Sequence, residues 1–231
     1  MEAILLAGGQ AERLGEAAQG RPKPLVPVGG RPLAAYALAR FASAGVERVI
    51  VACAAGTGGL FQRELAGLEL EVVAVEEPEP LGRGGALRFA AQALKEDGPV
   101  FAMNGDELLD VDLALLFKRH REREPAATLT LVPLRSQFGV VDLDDDDVVT
   151  GFREAPQLPY WVNVGLYVLS EEAIQQLPER GDHETTTFPL LAARRRLQGY
   201  RHLGTWLTVN TPKELRLAEE FVESHPDWLS A

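Results

Sequence analysis

Short apolar runs alternate with stretches of helical periodicity through the first half of the chain. The alternation predicts strands at Glu2–Leu6, Arg48–Ala52, Glu71–Val75 and Val100–Met103, with helices at Pro32–Ala44, Leu60–Leu65, Gly84–Lys95 and Leu113–Glu122 between and after them. Pro32 stands where a first-turn proline belongs and Gly45 where a helix stops. Strand and helix in strict succession imply right-handed crossovers and a largely parallel sheet. After Pro125 the rhythm changes to strands: Thr128–Pro133, Gly139–Leu143, Val148–Arg153 and Val162–Leu169. Short strands in close succession add antiparallel members to the sheet. Helices near Thr187–Leu197 and over Pro212–Ser224 follow.

The fold class expected is therefore α/β: a single-domain Rossmann-like mixed sheet over residues 1–231, mostly parallel, with helices on both faces. No linker, repeat or low-complexity block divides it. A chain of 231 residues buries about 70% of the surface its unfolded form exposes. The start lacks a basic segment and a long apolar core, and no window reaches membrane-spanning length, so a cytoplasmic location away from membranes is expected. One cysteine, Cys53, excludes an internal disulfide and reads as small core filler. Net charge of -11 argues against duplex nucleic acid as a partner, since such binding rests on a basic surface. Any phosphate chemistry must be concentrated in one cleft. A homo-oligomer is compatible with all of this.

The chemistry is concentrated where the first strand ends. Gly8-Gly9 follow it, then Arg13, then Lys23 between Pro22 and Pro24. Glycine lets main-chain N–H groups approach a phosphate, arginine can fork onto its oxygens, and a lysine between two prolines is stiffly presented. A glycine turn with two solvated charges is the alternative for any one of these features, and their order favours phosphate binding. Asn104-Gly105-Asp106 follows the fourth strand and Glu77 the third, so all three places converge beyond the carboxyl ends of the strands, where open α/β sheets bind ligands. Asp106 is placed to hold Mg²⁺, which takes one or two carboxylates and completes its shell with water and phosphate oxygens; the bland alternative is an Asx turn. The four histidines are scattered without ligand or triad spacing.

Taken together, Leu6-Ala7-Gly8-Gly9, Arg13-Leu14 and Pro22-Lys23-Pro24-Leu25 resemble the signature of the sugar-1-phosphate nucleotidylyltransferases, in which the lysine follows the arginine by ten residues, as here. Further pieces in the family's order are Glu77 to Gly82 with Gly84-Gly85-Ala86, Asn104-Gly105-Asp106, Phe138-Gly139-Val140-Val141, Phe152-Arg153-Glu154, Asn163-Val164-Gly165 and Trp206 to Pro212. The resemblance implies nucleotidyl transfer from a nucleoside triphosphate to a sugar 1-phosphate with Mg²⁺ as cofactor. It implies catalytic roles for Arg13, Lys23 and Asp106, nucleotide contacts from Leu6, Ala7, Gly8, Gly9, Glu77 and Gly82, and sugar contacts from Gly139, Glu154 and Asn163.

Glu77 suits guanine, whose N1–H and N2 amino group both donate while a carboxylate only accepts; an exposed acid is an equal reading of the residue alone. GTP and mannose 1-phosphate, or a related hexose or heptose 1-phosphate, are the expected substrates. Thymidylyl or uridylyl transfer to glucose 1-phosphate and a catalytically weakened nucleotide-sugar-binding regulator are the alternatives. Several positions depart from the pattern. Ala11 and Glu12 replace a loop glycine and a small hydroxyl residue, and Ala155 replaces a lysine. Thr208 stands where many relatives place a second metal-binding aspartate, and Asn210, which replaces a glycine, offers a neutral oxygen instead. The acidic run Asp142–Asp147 lacks the glycine a calcium loop requires and reads as a solvated hairpin; Arg194-Arg195-Arg196 reads as a solvated helix face.

Overall fold

A computed structural model describes residues 1–9 and 11–229, so Gln10 of the glycine loop lies outside the described residues. A seven-stranded sheet carries the fold, in the order Leu197–Arg201, Ala127–Arg135, Gln157–Leu169, Val100–Asn104, Glu2–Leu6, Arg48–Ala54 and Glu71–Glu77. Only Gln157–Leu169 runs against the others. The remaining antiparallel pairings are small: Val140–Leu143 with Val149–Arg153, Glu107–Leu109 with Trp206–Thr208, and Pro27–Val28 with Arg31–Pro32.

Each central strand divides its side chains between two cores because successive residues face opposite sides. Leu5, Val51 and Met103 pack with Phe41, Phe61, Phe101 and Leu116, under the helices Leu33–Ser43, Gly58–Glu64 and Leu113–Arg123. Ile4, Ile50 and Ala102 pack with Leu87, Tyr167, Phe188 and Leu191, beneath Gly82–Ala91 and Thr187–Ala193. A third cluster joins Leu14, Val26, Leu33, Leu108 and Val209 to Leu215, Ala218 and Val222 of the helix Pro212–Ser224, whose first turn is fixed by a Thr211–Glu214 capping box. Cys53 is wholly buried in the first core. No described helix is long and apolar enough to cross a membrane.

The structure corrects the boundaries where tertiary contact overrides local pattern. The helix expected over Thr187–Leu197 ends at Ala193, and Leu197–Arg201 is an edge strand parallel to Ala127–Arg135. The three arginines therefore terminate a helix rather than line it: Arg194 caps it, Arg195 adopts a positive φ of 57°, and Arg196 pairs with Glu172. The acidic run is the exposed tip of a hairpin, as expected.

Two histidines are held inside these cores. His120 contacts the Thr128 hydroxyl through Nδ1 at 2.9 Å, and His183 lies edge-on to Tyr167 and Phe188. Burial pushes both imidazoles down to about 4. A folded pKa below the unfolded value means that at these two groups the unfolded chain binds more protons between about pH 6.5 and 4, so their contribution to stability falls as pH drops through that window. Between pH 7 and pH 5 each histidine removes about 2 kcal/mol of folding stability. Urea unfolding at the two pH values checks this: the stability of His183→Leu at pH 5 relative to pH 7 exceeds that of wild type by about 2 kcal/mol, and an unchanged pH dependence in that variant contradicts it.

Candidate active site

The site lies at the carboxyl ends of the parallel strands. Glu2–Leu6 is anchored between two parallel neighbours, and past its end Ala7 N–H donates to the Ala52 carbonyl at 2.7 Å. The chain then leaves the sheet as exposed Gly8-Gly9. These glycines have different surroundings. Nothing lies within 4 Å of a Cβ built on Gly9, whereas one on Gly8 would sit 2.6 Å from Glu77 Oε1. Gly8 thus makes room for an acid from the far edge of the sheet, and Gly9 leaves its backbone open.

Glu77 closes the edge strand Glu71–Glu77 and is buried, with Oε2 accepting from Leu81 N–H at 3.1 Å. Burial raises its pKa, and the Leu81 bond opposes that shift. The neighbouring Glu76 is exposed to solvent and binds the Gly56 and Gly58 N–H groups, so the two acids of the pair have separate tasks. Gly82, expected among nucleotide contacts, has φ 75°, and a Cβ there would lie 2.9 Å from the Gly181 backbone. Its lack of a side chain is required by that packing at the start of the helix Gly82–Ala91.

The two cations expected to act on phosphate meet at one oxygen. Asn210 Oδ1 accepts from Lys23 Nζ at 2.8 Å and from Arg13 Nη2 at 3.1 Å, and Lys23 Nζ also binds Asp106 Oδ2 at 3.0 Å. Lys23 belongs to a three-residue turn, Lys23–Leu25, and its side chain is only 12% exposed, against 24% for Asp106. Pro24 also shapes the other half of the cluster. A Cβ on Gly105 would strike Pro24 and the Leu6 carbonyl, both 2.7 Å away, and Gly105 N–H donates to that carbonyl. Gly105 is thus fixed by close approach of the loop and the strand, and an Asx turn alone does not account for it.

Asn210 reaches this cluster because an antiparallel pairing of two distant segments delivers it. Trp206–Thr208 pairs with Glu107–Leu109, placing Thr208 opposite Glu107, and Val209 N–H donates to the Asp106 carbonyl at 3.1 Å. Trp206 Nε1 donates to Glu107 Oε2 at 2.6 Å, while Asp110 accepts from Thr205 N–H at 2.7 Å and pairs with His202. Glu107 escaped sequence reasoning. Burial, then the neighbouring Asp106, pushes its carboxyl up to about 8, against the opposing effects of Trp206, Asn104 and Lys23. A carboxyl directly after a candidate metal-binding aspartate was the available signal, but its partner lies 99 residues away.

The residues expected to read a sugar fall in two places. Gly139 and Glu154 meet at the base of the exposed hairpin, where a Cβ on Gly139 would approach Glu154 Oε2 at 3.1 Å and collide with the Phe152 ring. Asn163 lies in Gln157–Leu169 at an irregularity in its pairing with Ala127–Arg135, and Gly165, with φ 70°, occupies the space beside Asn104. Asn163 uses its amide inside the protein: Nδ2 donates to Tyr167 Oη and Glu184 Oε1, both at 2.8 Å, and Oδ1 accepts from Gly165 N–H at 3.1 Å.

A glycine loop after the first strand, a lysine and an arginine on one oxygen, and an aspartate after a neighbouring strand thus lie together at the carboxyl ends of the parallel strands, the edge at which open α/β sheets bind ligands. The nucleotidyl transferase family model matches residues 2–225, and the chain belongs to that family. Among curated relatives, mannose-1-phosphate guanylyltransferase of Mycobacterium tuberculosis (strain ATCC 25618 / H37Rv) is 33% identical over 241 aligned positions, 98% of this chain and 64% of that protein. Mannose-1-phosphate guanyltransferase of Candida albicans is 30% identical over 228, 93% of this chain and 62% of that protein. The chain thus spans less than two thirds of these relatives. HddC from Yersinia pseudotuberculosis, solved with GMP-PN, superposes with a TM-score of 0.74 at 21% identity, covering 95% of this chain and 98% of that one. A putative glucose-1-phosphate thymidylyltransferase from Bacillus anthracis gives 0.76 at 18%, covering 96% and 95%. These two likenesses concern the fold.

Proposed function

We propose that the protein transfers a guanylyl group from GTP to mannose 1-phosphate or a closely related hexose or heptose 1-phosphate, giving the nucleotide sugar and pyrophosphate. The observation that carries this reading is the Lys23 ammonium bonded to both Asp106 and Asn210, with Arg13 on the same Asn210 oxygen, beside an open glycine loop. The relatives named above, similar over nearly the whole chain, support the base and the sugar.

In this reaction a sugar-phosphate oxygen attacks the α-phosphorus, the bond between the α-phosphorus and the α,β-bridging oxygen breaks, and pyrophosphate leaves with that oxygen. No general base is needed. A phosphate monoester has its second pKa near 6 and is mostly dianionic at neutral pH. His120 and His183, locked in cores as neutral rings, are unsuited to carry the proton in any case. Catalysis then rests on positioning and charge stabilisation. Arg13 and Lys23 exchange Asn210 for phosphate oxygens, Gly9 presents its backbone to them, and Glu77 accepts from the guanine edge.

Mg²⁺ suits this donor set in a limited way. Among the described residues no group of three histidine, cysteine or acidic side chains could hold a metal. A single carboxylate completed by phosphate oxygens and water is nevertheless an ordinary Mg²⁺ environment. Asp106 would hold the ion through the oxygen that Lys23 does not bind, and Asn210 would add its carbonyl when substrate phosphates draw the two cations away. Once bound, the ion neutralises charge on the phosphates.

The test is pyrophosphate release with a panel of nucleoside triphosphates and sugar 1-phosphates. GTP with mannose 1-phosphate and Mg²⁺ gives the highest kcat/KM, and omission of the metal or the sugar phosphate abolishes release. Preference for dTTP or UTP replaces the base assignment, while nucleotide-sugar binding without turnover favours the regulatory alternative.

A further inference from the structure

We propose that Glu184, held by Arg83, reads the sugar hydroxyls in this site, and that Asn163 positions it rather than contacting the sugar through its amide donors; this rests on the transferase reading above. Asn163 has both amide protons placed on protein oxygens and its own oxygen on a backbone N–H. A side chain so engaged can offer a ligand at most a remaining lone pair. The group it holds is better equipped. Glu184 Oε1 accepts from Asn163 at 2.8 Å and from Tyr167 Oη at 3.3 Å, and Oε2 pairs with Arg83 Nη2. A carboxylate has about four acceptor positions, so three partners leave capacity for a further donor. Its side chain is 28% exposed and that of Arg83 is 44% exposed, whereas Tyr167 is buried.

The placement matches a sugar bridging nucleotide and metal ends of the cleft. Arg83 follows Gly82 in the first turn of the helix that begins five residues after Glu77, which ends its strand, and the main-chain N–H and guanidinium of Arg83 both bind Asp182. At the other side Asn163 leads into Gly165, which packs against Asn104 next to Asp106. Glu184 therefore joins the rim of the base pocket to the metal-side strand. A carboxylate beside a half-exposed guanidinium accepts from one hydroxyl while the guanidinium donates to its neighbour, a pattern suited to vicinal hydroxyls. Arg83 faces two acids, Asp182 and Glu184, so the cluster carries net negative charge and disfavours a sugar bearing its own carboxylate. The substrate class is a hexose or heptose 1-phosphate whose sugar ring carries no carboxylate.

Calorimetric titration with mannose 1-phosphate, beside initial rates, tests the assignment. Glu184→Gln weakens mannose 1-phosphate binding and raises its KM at least about tenfold, with KM for GTP within about twofold of wild type. Tyr167→Phe keeps the carboxylate and removes one of its donors, so sugar affinity stays within about threefold. Wild type discriminates against glucuronic acid 1-phosphate relative to glucose 1-phosphate, and Glu184→Gln narrows that gap. Unchanged mannose 1-phosphate affinity in folded Glu184→Gln overturns the proposal. So does a parallel rise in both KM values, or an equal loss in Tyr167→Phe, since each marks a structural role. A wild type that binds mannose 1-phosphate through Glu184 without releasing pyrophosphate refutes the transferase reading and leaves this one standing. A wild type that binds no sugar phosphate refutes this one.

Discussion

Alanine at Lys23 or at Asp106 lowers kcat/KM by at least about a hundredfold, the scale of one lost electrostatic contact to a transition state. The two side chains are 3.0 Å apart, and Lys23 also holds Asn210 at 2.8 Å, so either truncation removes a charge and releases the partner that it orients. Because they share a contact, the double variant loses less than the product of the two single effects. Initial rates of pyrophosphate release measure all three, with circular dichroism confirming that each protein is folded. Near-wild-type turnover in either single variant removes this cluster from the reaction. Strict multiplicativity in the double variant means that the two groups act separately.

Exchange of Glu77 for glutamine shifts base choice. A carboxylate set against the two adjacent donors of guanine can accept from both, whereas an amide places a donor of its own against one of them. Glu77→Gln therefore reduces the preference for GTP over dTTP by about 1–3 kcal/mol, roughly 5- to 160-fold in the ratio of kcat/KM values. The amide oxygen can still accept from Leu81 N–H, which preserves the local fold. Burial already raises the pKa of this carboxyl, so the charge needed to meet guanine is one that the nucleotide's own donors help to stabilise. Competition between GTP and dTTP with mannose 1-phosphate reads the ratio directly. If it is unchanged in the variant, Glu77 does not select the base.

Some of this was legible in the residues themselves, and the reason lies in how locally each signal is encoded. Strands such as Glu2–Leu6 and helices such as Pro212–Ser224 follow from periodicity and capping within a short window, and their observed bounds match the expected ones. The mostly parallel sheet follows from strict alternation of those windows, and Lys23 and Asp106 stand out because prolines and a strand end frame them. What lay beyond reach depends on pairing between distant segments. Leu197–Arg201 is a strand only because Ala127–Arg135 offers it an edge; local pattern carries the preceding helix to about Leu197 and marks no strand after it.

Asn210 sits on Lys23, 187 residues away, because the antiparallel pairing of Glu107–Leu109 with Trp206–Thr208 brings it there. The sequence by itself determined which residue types could do phosphate chemistry and on which strand ends they stand. The tertiary structure alone decided which of their atoms are still available: the Asn163 amide donates to Tyr167 and Glu184, the Asn210 side-chain oxygen accepts from Lys23 and Arg13, and Gly8 and Gly82 are small for the sake of Glu77 and Gly181. A hydrogen bond satisfies one partner at the expense of another, and which partner it satisfies is fixed by distances that no short stretch of chain contains.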